Sequence, residues 1–115
     1  MSEEKSATKT LWEADSTHPQ VADSVRTALR EVVDPEIGLN VIELGLVREL
    51  RINEGEAQLK IILTTPFCPY GPALLEMTRV KAEQAAGRPA RIELGMDMWD
   101  PSFMEEGAGA AWGLY

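Results

Sequence analysis

AQLKIILTTPFCPYGPALLEMTRVKAEQAAG, residues 57–87, decides how the chain is read. Its first part, AQLKIILTT, sets Leu59, Ile61 and Leu63 on one side, the alternation of a strand. Prolines at 66, 69 and 72 then rule out strand or helix through the middle of the segment. From Pro72 the pattern becomes helical, since proline is tolerated in a first turn where its missing N–H has no partner to lose. Leu74, Leu75, Met77, Thr78, Val80 and Ala82 are predicted to form a broad buried face. Gly87 is a C-cap, with Pro89 just beyond it. Cys68 falls where the strand has ended and the helix has not begun.

Outward from this unit, RIELGMDM alternates strictly, with Ile92, Leu94, Met96 and Met98 on one side. It follows the helix, so it pairs in parallel with the strand before the helix through a crossover. Upstream, LVRELRI is a half-buried strand carrying Leu46, Leu50 and Ile52, joined through Asn53–Glu54–Gly55–Glu56 into a hairpin. Val21 to Val33 reads as a helix with Val21, Val25, Ala28, Leu29 and Val32 on one stripe, ended by Asp34–Pro35. The expected fold is a two-layer α+β arrangement of α/β character. Two main helices lie on a small mixed three-stranded sheet, in the order α-β-β-α-β. Residues 1–19, polar and without a sustained period, read as a flexible N-terminal arm, and 20–115 as one domain.

The whole chain has 115 residues and a formal net charge of −8. That balance opposes nucleic-acid binding, which needs clustered Lys and Arg, and docking on anionic lipid. No apolar run is long enough to span a bilayer, and the N-terminus has no signal-peptide core. A single cysteine permits no internal disulfide and fits a reducing compartment. The expectation is a cytoplasmic protein.

Cys68 precedes a helix whose free first-turn N–H groups favour a thiolate over a thiol. It reads either as a reactive or ligating residue or as a small buried filler. One thiolate cannot hold an iron–sulfur cluster or a structural zinc, which take four donors. His18, the only histidine, lies far away in sequence. Any bound metal therefore draws ligands from a partner, a second subunit or small thiols, and a homodimer would bring two Cys68 thiolates together. With no base near the thiol, a thiol enzyme is disfavoured. Asp34 and Glu36, followed by Asn40 and Glu43, either line a pocket with Cys68 or serve the local turn. Thr64, four residues before Cys68, either reaches the thiolate or is an ordinary strand residue. Trp99, Phe103, Trp112 and Tyr115 either form a partner surface or pack back on the domain.

Three segments together, DPEIGLNVIELGLV (34–47), TTPFCP (64–69) and WDPSFMEEG (99–107), resemble the SufT/PaaD-like family of iron–sulfur assembly proteins. The resemblance spans roughly residues 21–115. Cys68 stands at the family's motif cysteine with Pro69 after it, Asp34 and Glu36 at its acidic pair, and Thr64 at its upstream threonine. Leu44, Gly45 and Leu46 match its turn into the first strand. The resemblance implies an adaptor or transient carrier, not an enzyme, acting with the SUF machinery and client apoproteins. It implies at most a transient iron–sulfur cluster or iron on Cys68, with no permanently bound cofactor. The alternatives are an interaction module with a structural cysteine, partner-facing through Trp99 and Phe103, or a PaaD-like accessory protein of an oxygenase system. The chain has no cysteine-rich tail, which favours the SufT-like branch.

Overall fold

The computed structural model describes residues 11–35, 37–53, 55–64 and 70–105. In chain order the elements are α1 (Glu13–Thr17), α2 (Pro19–Leu29), β1 (Val47–Ile52), β2 (Ala57–Ile61), α3 (Gly71–Ala86) and β3 (Ala90–Leu94), followed by a 3-10 turn at Pro101–Phe103. The sheet order is β1-β2-β3, antiparallel between β1 and β2 and parallel between β2 and β3. This is the small mixed α+β fold that the alternation and the crossover rule imply.

Ala57, Leu59 and Ile61 of β2 are buried, as period-two alternation requires, and Gln58 and Lys60 occupy the polar face. β1 carries one extra residue: Val47 pairs with Ile61, but Glu49 pairs with Lys60. Arg48 is therefore bulged, and the offset lets Val47, Leu50 and Ile52 all be buried on one side. α3 packs on β2 and β3, α2 packs beside α3, and α1 packs on β1 and α2. One contiguous core results, centred on Leu29, Leu44, Leu46, Leu50, Leu59, Ile61, Ile62 and Met104.

Four expectations need correction. The α2 helix ends at Leu29, not Val33. Beyond it, Val32 N–H bonds the Leu29 carbonyl, the Val32 carbonyl accepts from Val41, and Val33 bridges to Asn40. This antiparallel bridge closes the loop before Pro35 is reached. The buried stripe of α3 is narrower than its composition suggests: Leu74, Thr78, Ala82 and Ala86 repeat every four residues, while Met77 and Val80 are exposed. β3 stops at Leu94, because β2 ends at Ile61 and Gly95 N–H makes the last ladder bond to the Ile61 carbonyl (2.7 Å). Met96 and Met98 accordingly stand 92% and 87% exposed.

The fourth concerns the arm, whose residues 1–10 lie outside the described residues. Trp12 is 4% exposed, and its indole N–H donates to the Val47 carbonyl (3.0 Å). Asp15 accepts from the Trp12 backbone N–H (2.7 Å) and takes both terminal guanidinium nitrogens of Arg26 at 3.1 Å. Arg26 in turn lies 4.0 Å over the Trp12 ring. Residues 12–17 are thus part of the packed unit, tied down by the one large aromatic that a scan for periodicity passes over.

Candidate functional site

β2 leads through Ile62, Leu63 and Thr64 into the connection that carries Cys68, and α3 resumes at Gly71. Ile62 is buried and donates its N–H to the Leu46 carbonyl (2.9 Å), so this end of the sheet is fixed against the loop before β1. Thr64 is half-buried beyond it. On the other side Tyr70 is the N-cap of α3, with no side-chain cap on the first-turn N–H groups, and Pro72 sits in that turn. Cys68, Pro69 and Glu36 lie outside the described residues.

Asp34 is 2% exposed and opens a tight turn. Its carbonyl accepts from Ile37 (3.2 Å) and Gly38 (2.7 Å), and its N–H donates to the Leu39 carbonyl (3.0 Å). The next turn is closed by side chains. Asn40 Oδ1 accepts from Glu43 N–H (2.7 Å), and Glu43 Oε1 accepts from Asn40 N–H (2.9 Å), a reciprocal box of the kind that starts helices. Asn40 and Glu43, candidates to line a pocket with Cys68, each give one side-chain oxygen to this turn.

The C-terminal segment 99–105 lies across the same turn. The Trp99 indole N–H donates to the Leu44 carbonyl (2.8 Å), and Glu105 N–H donates to the Glu43 carbonyl (2.9 Å). Arg30 grips the Glu105 carboxylate with two bonds of 2.9 and 2.6 Å, which raises the Arg30 pKa. Met104 is fully buried. The bulged Arg48 lies 3.8 Å over the Phe103 ring and donates to the Gly45 carbonyl (3.0 Å). Gly45 has φ of 72°, and a Cβ there would meet the Phe103 carbonyl oxygen at 2.0 Å. Trp99 and Phe103 therefore turn inward onto their own domain and do not stand out as free aromatic anchors. The reason is that the last described residues have a carbonyl-rich turn and two arginines to bind.

Of the sequence-derived site, the structure positions Asp34 and Thr64 and the two flanks of the cysteine connection. The His18 ring Nδ1 pairs with the hydroxyl of its neighbour Thr17 (2.9 Å), and the His18 backbone joins α1 to α2 through Ala14 and Ala22. Among these residues no group of three His, Cys, Asp or Glu side chains is placed to hold a metal ion, and no helix is long and apolar enough to cross a membrane. Sequence reasoning missed Arg30, Arg48 and Glu105. Glu105 lay within the quoted WDPSFMEEG segment, but its partner is 75 residues away, beyond the reach of any local pattern.

Residues 22–93 match the family described as iron–sulfur cluster assembly protein. An Fe–S protein maturation auxiliary factor of Porphyromonas gingivalis is 33% identical over 92 residues, 77% of this chain and 88% of that protein. The Fe–S protein maturation auxiliary factor SufT of Staphylococcus aureus is 29% identical over 77 residues, 65% of this chain and 84% of that protein. A solved domain of unknown function from Bacillus anthracis superposes with a TM-score of 0.76 at 19% identity, covering 86% of this chain and 97% of that one. With the acidic turn, the strand-to-helix connection and nearly all of the sheet inside the match, the chain belongs to the iron–sulfur cluster assembly protein family.

Proposed function

We propose that the chain acts in the maturation of iron–sulfur proteins as a non-enzymatic adaptor or transient carrier, with Cys68 as its one thiolate ligand. The observation that carries this reading is the family match over residues 22–93, which takes in both the Asp34 turn and the Cys68 connection. The named roles of the two bacterial relatives, each matched over most of its length, support it. So does the position of that connection in the chain, between a strand's carboxyl end and an N-cap that spares the first-turn N–H groups.

The cluster is cargo in this reading. A chain with one cysteine cannot supply four thiolates, so the remaining ligands come from the donor or the client, and the cluster passes on when a client completes its own set. The partners are assembly proteins of the SUF type and client apoproteins, met in the reducing cytoplasm where a lone thiol persists. Buried Asp34 holds the acidic turn beside α2, so substitutions there act on the shape of the site.

Anaerobic incubation with iron and sulfide should give a substoichiometric, thiol-sensitive chromophore in the wild type and none in Cys68→Ala. A chromophore surviving in the variant removes Cys68 as ligand. In cells, Cys68→Ala should fail to restore iron–sulfur enzyme activities lost on deletion of the gene. Full restoration would leave an interaction module with a structural cysteine.

A further inference from the structure

The two edges of the sheet are treated differently. The β1 edge is covered at its start by α1: the Trp12 indole N–H donates to the Val47 carbonyl, and Glu13 N–H donates to the Glu49 side-chain carboxylate (2.7 Å). No described residue pairs with the outer edge of β3. The parallel ladder fixes which β3 groups are committed. Ala57 N–H bonds the Pro89 carbonyl and Gly95 N–H bonds the Ile61 carbonyl, so residues 91 and 93 point their backbone groups toward β2. Ala90, Ile92 and Leu94 then aim their N–H and C=O groups outward, with no partner among the described residues.

We propose that this edge is the contact surface for a second copy of the chain, joined antiparallel about a two-fold axis at Ile92. Outward-facing residues must pair with outward-facing residues, which leaves axes through residues 91, 92 and 93 within the strand. An axis at 91 sets Arg91 against Arg91, and one at 93 sets Glu93 against Glu93. An axis at 92 sets Arg91 against the second copy's Glu93 twice over, and Ala90 against its Leu94. Arg91 and Glu93 are both exposed and lie in a non-hydrogen-bonded pair, where side chains are closest. Arg91 keeps its own Glu56 (3.3 Å) on the same polar face. On the opposite face an open groove of about 370 Å³ runs between α3 and β3, lined by Leu75, Arg79, Ile92 and Leu94. A partner's Ala90, Ile92 and Leu94 would extend its apolar floor.

The second copy is the occupant because the strand is its own charge complement only about that axis. A two-fold contact uses the β3 edges of both copies at once, so the joined sheet closes at six strands as a dimer. Antiparallel pairing sets the carboxyl ends of the two β2 strands at opposite ends of the joined sheet.

Sedimentation velocity at physiological ionic strength, where the charge of −8 on each copy is largely screened, tests this across micromolar to millimolar protein. The wild type should shift from monomer to dimer with concentration. Arg91→Glu and Glu93→Arg should each weaken association by roughly tenfold or more, by making both cross-strand pairs like-charged. The double variant with both changes should recover it, which shows that neither change acts by unfolding. Ile92→Cys in a Cys68→Ser background should give an oxidised covalent dimer, since directly opposed Cα atoms lie about 5.5 Å apart. A wild type that stays monomeric throughout, or single charge variants that associate like the wild type, overturns the proposal.

Discussion

Gly45 and Gly38 both adopt left-handed backbone, with φ of 72° and 85°, yet they should respond differently to a methyl group. At Gly38 nothing lies within 4 Å of a built Cβ, so Gly38→Ala meets only the conformational penalty, about 1 kcal/mol. At Gly45 the Cβ would strike the Phe103 backbone, so Gly45→Ala adds overpacking of roughly 1–3 kcal/mol. Denaturant midpoints of the two variants check this; equal losses would mean that the 99–105 segment yields freely. Asp15 is a second local case. Burial raises its pKa, but hydrogen bonds from Arg26 and the Trp12 N–H outweigh it and hold the carboxyl below its ordinary 3.8. A depressed folded pKa means stability that is complete above about pH 4 and is lost as pH falls through the folded value. Asp15→Asn should therefore lower stability at neutral pH and flatten its decline in acid, read from unfolding curves between pH 2 and 7.

At the scale of elements, α1 is worth more than its five residues suggest, because it delivers Trp12. Trp12→Ala should cost about 3–5 kcal/mol and expose the β1 edge, seen as a lowered denaturant midpoint. Such an element was invisible to periodicity: a helix of that length shows no stripe, and a single tryptophan in a polar stretch carries no pattern. β2 and α3 were legible because alternation, three prolines and a closing glycine all point the same way. Gly87 is indeed left-handed at the α3 C-cap, with φ of 71°. The end of β3 was not legible, since a strand's length depends on how far its neighbour runs, and β2 stops at Ile61. Met96 and Met98 keep the alternation of a strand with no residue of β2 left to pair with.

For the molecule as a whole, the order and direction of the strands followed from chain connectivity, and the acidic turn was visible as a motif. The clamp over that turn was not, because Arg30 meets Glu105 across 75 residues. Glu105→Gln should weaken this grip, with Arg30→Gln giving a similar loss and the pair together little more than either alone. A double-mutant cycle on unfolding free energies measures the coupling. The clamp also bears on how the chain is made. A ribosome releases the 34–45 segment long before the stretch that ends at Glu105, so the turn emerges without its fastening. Lengthening nascent chains should therefore gain protease resistance in two stages. The sheet and its helices come first, and the acidic turn follows only after Trp99, Met104 and Glu105 have left the exit tunnel.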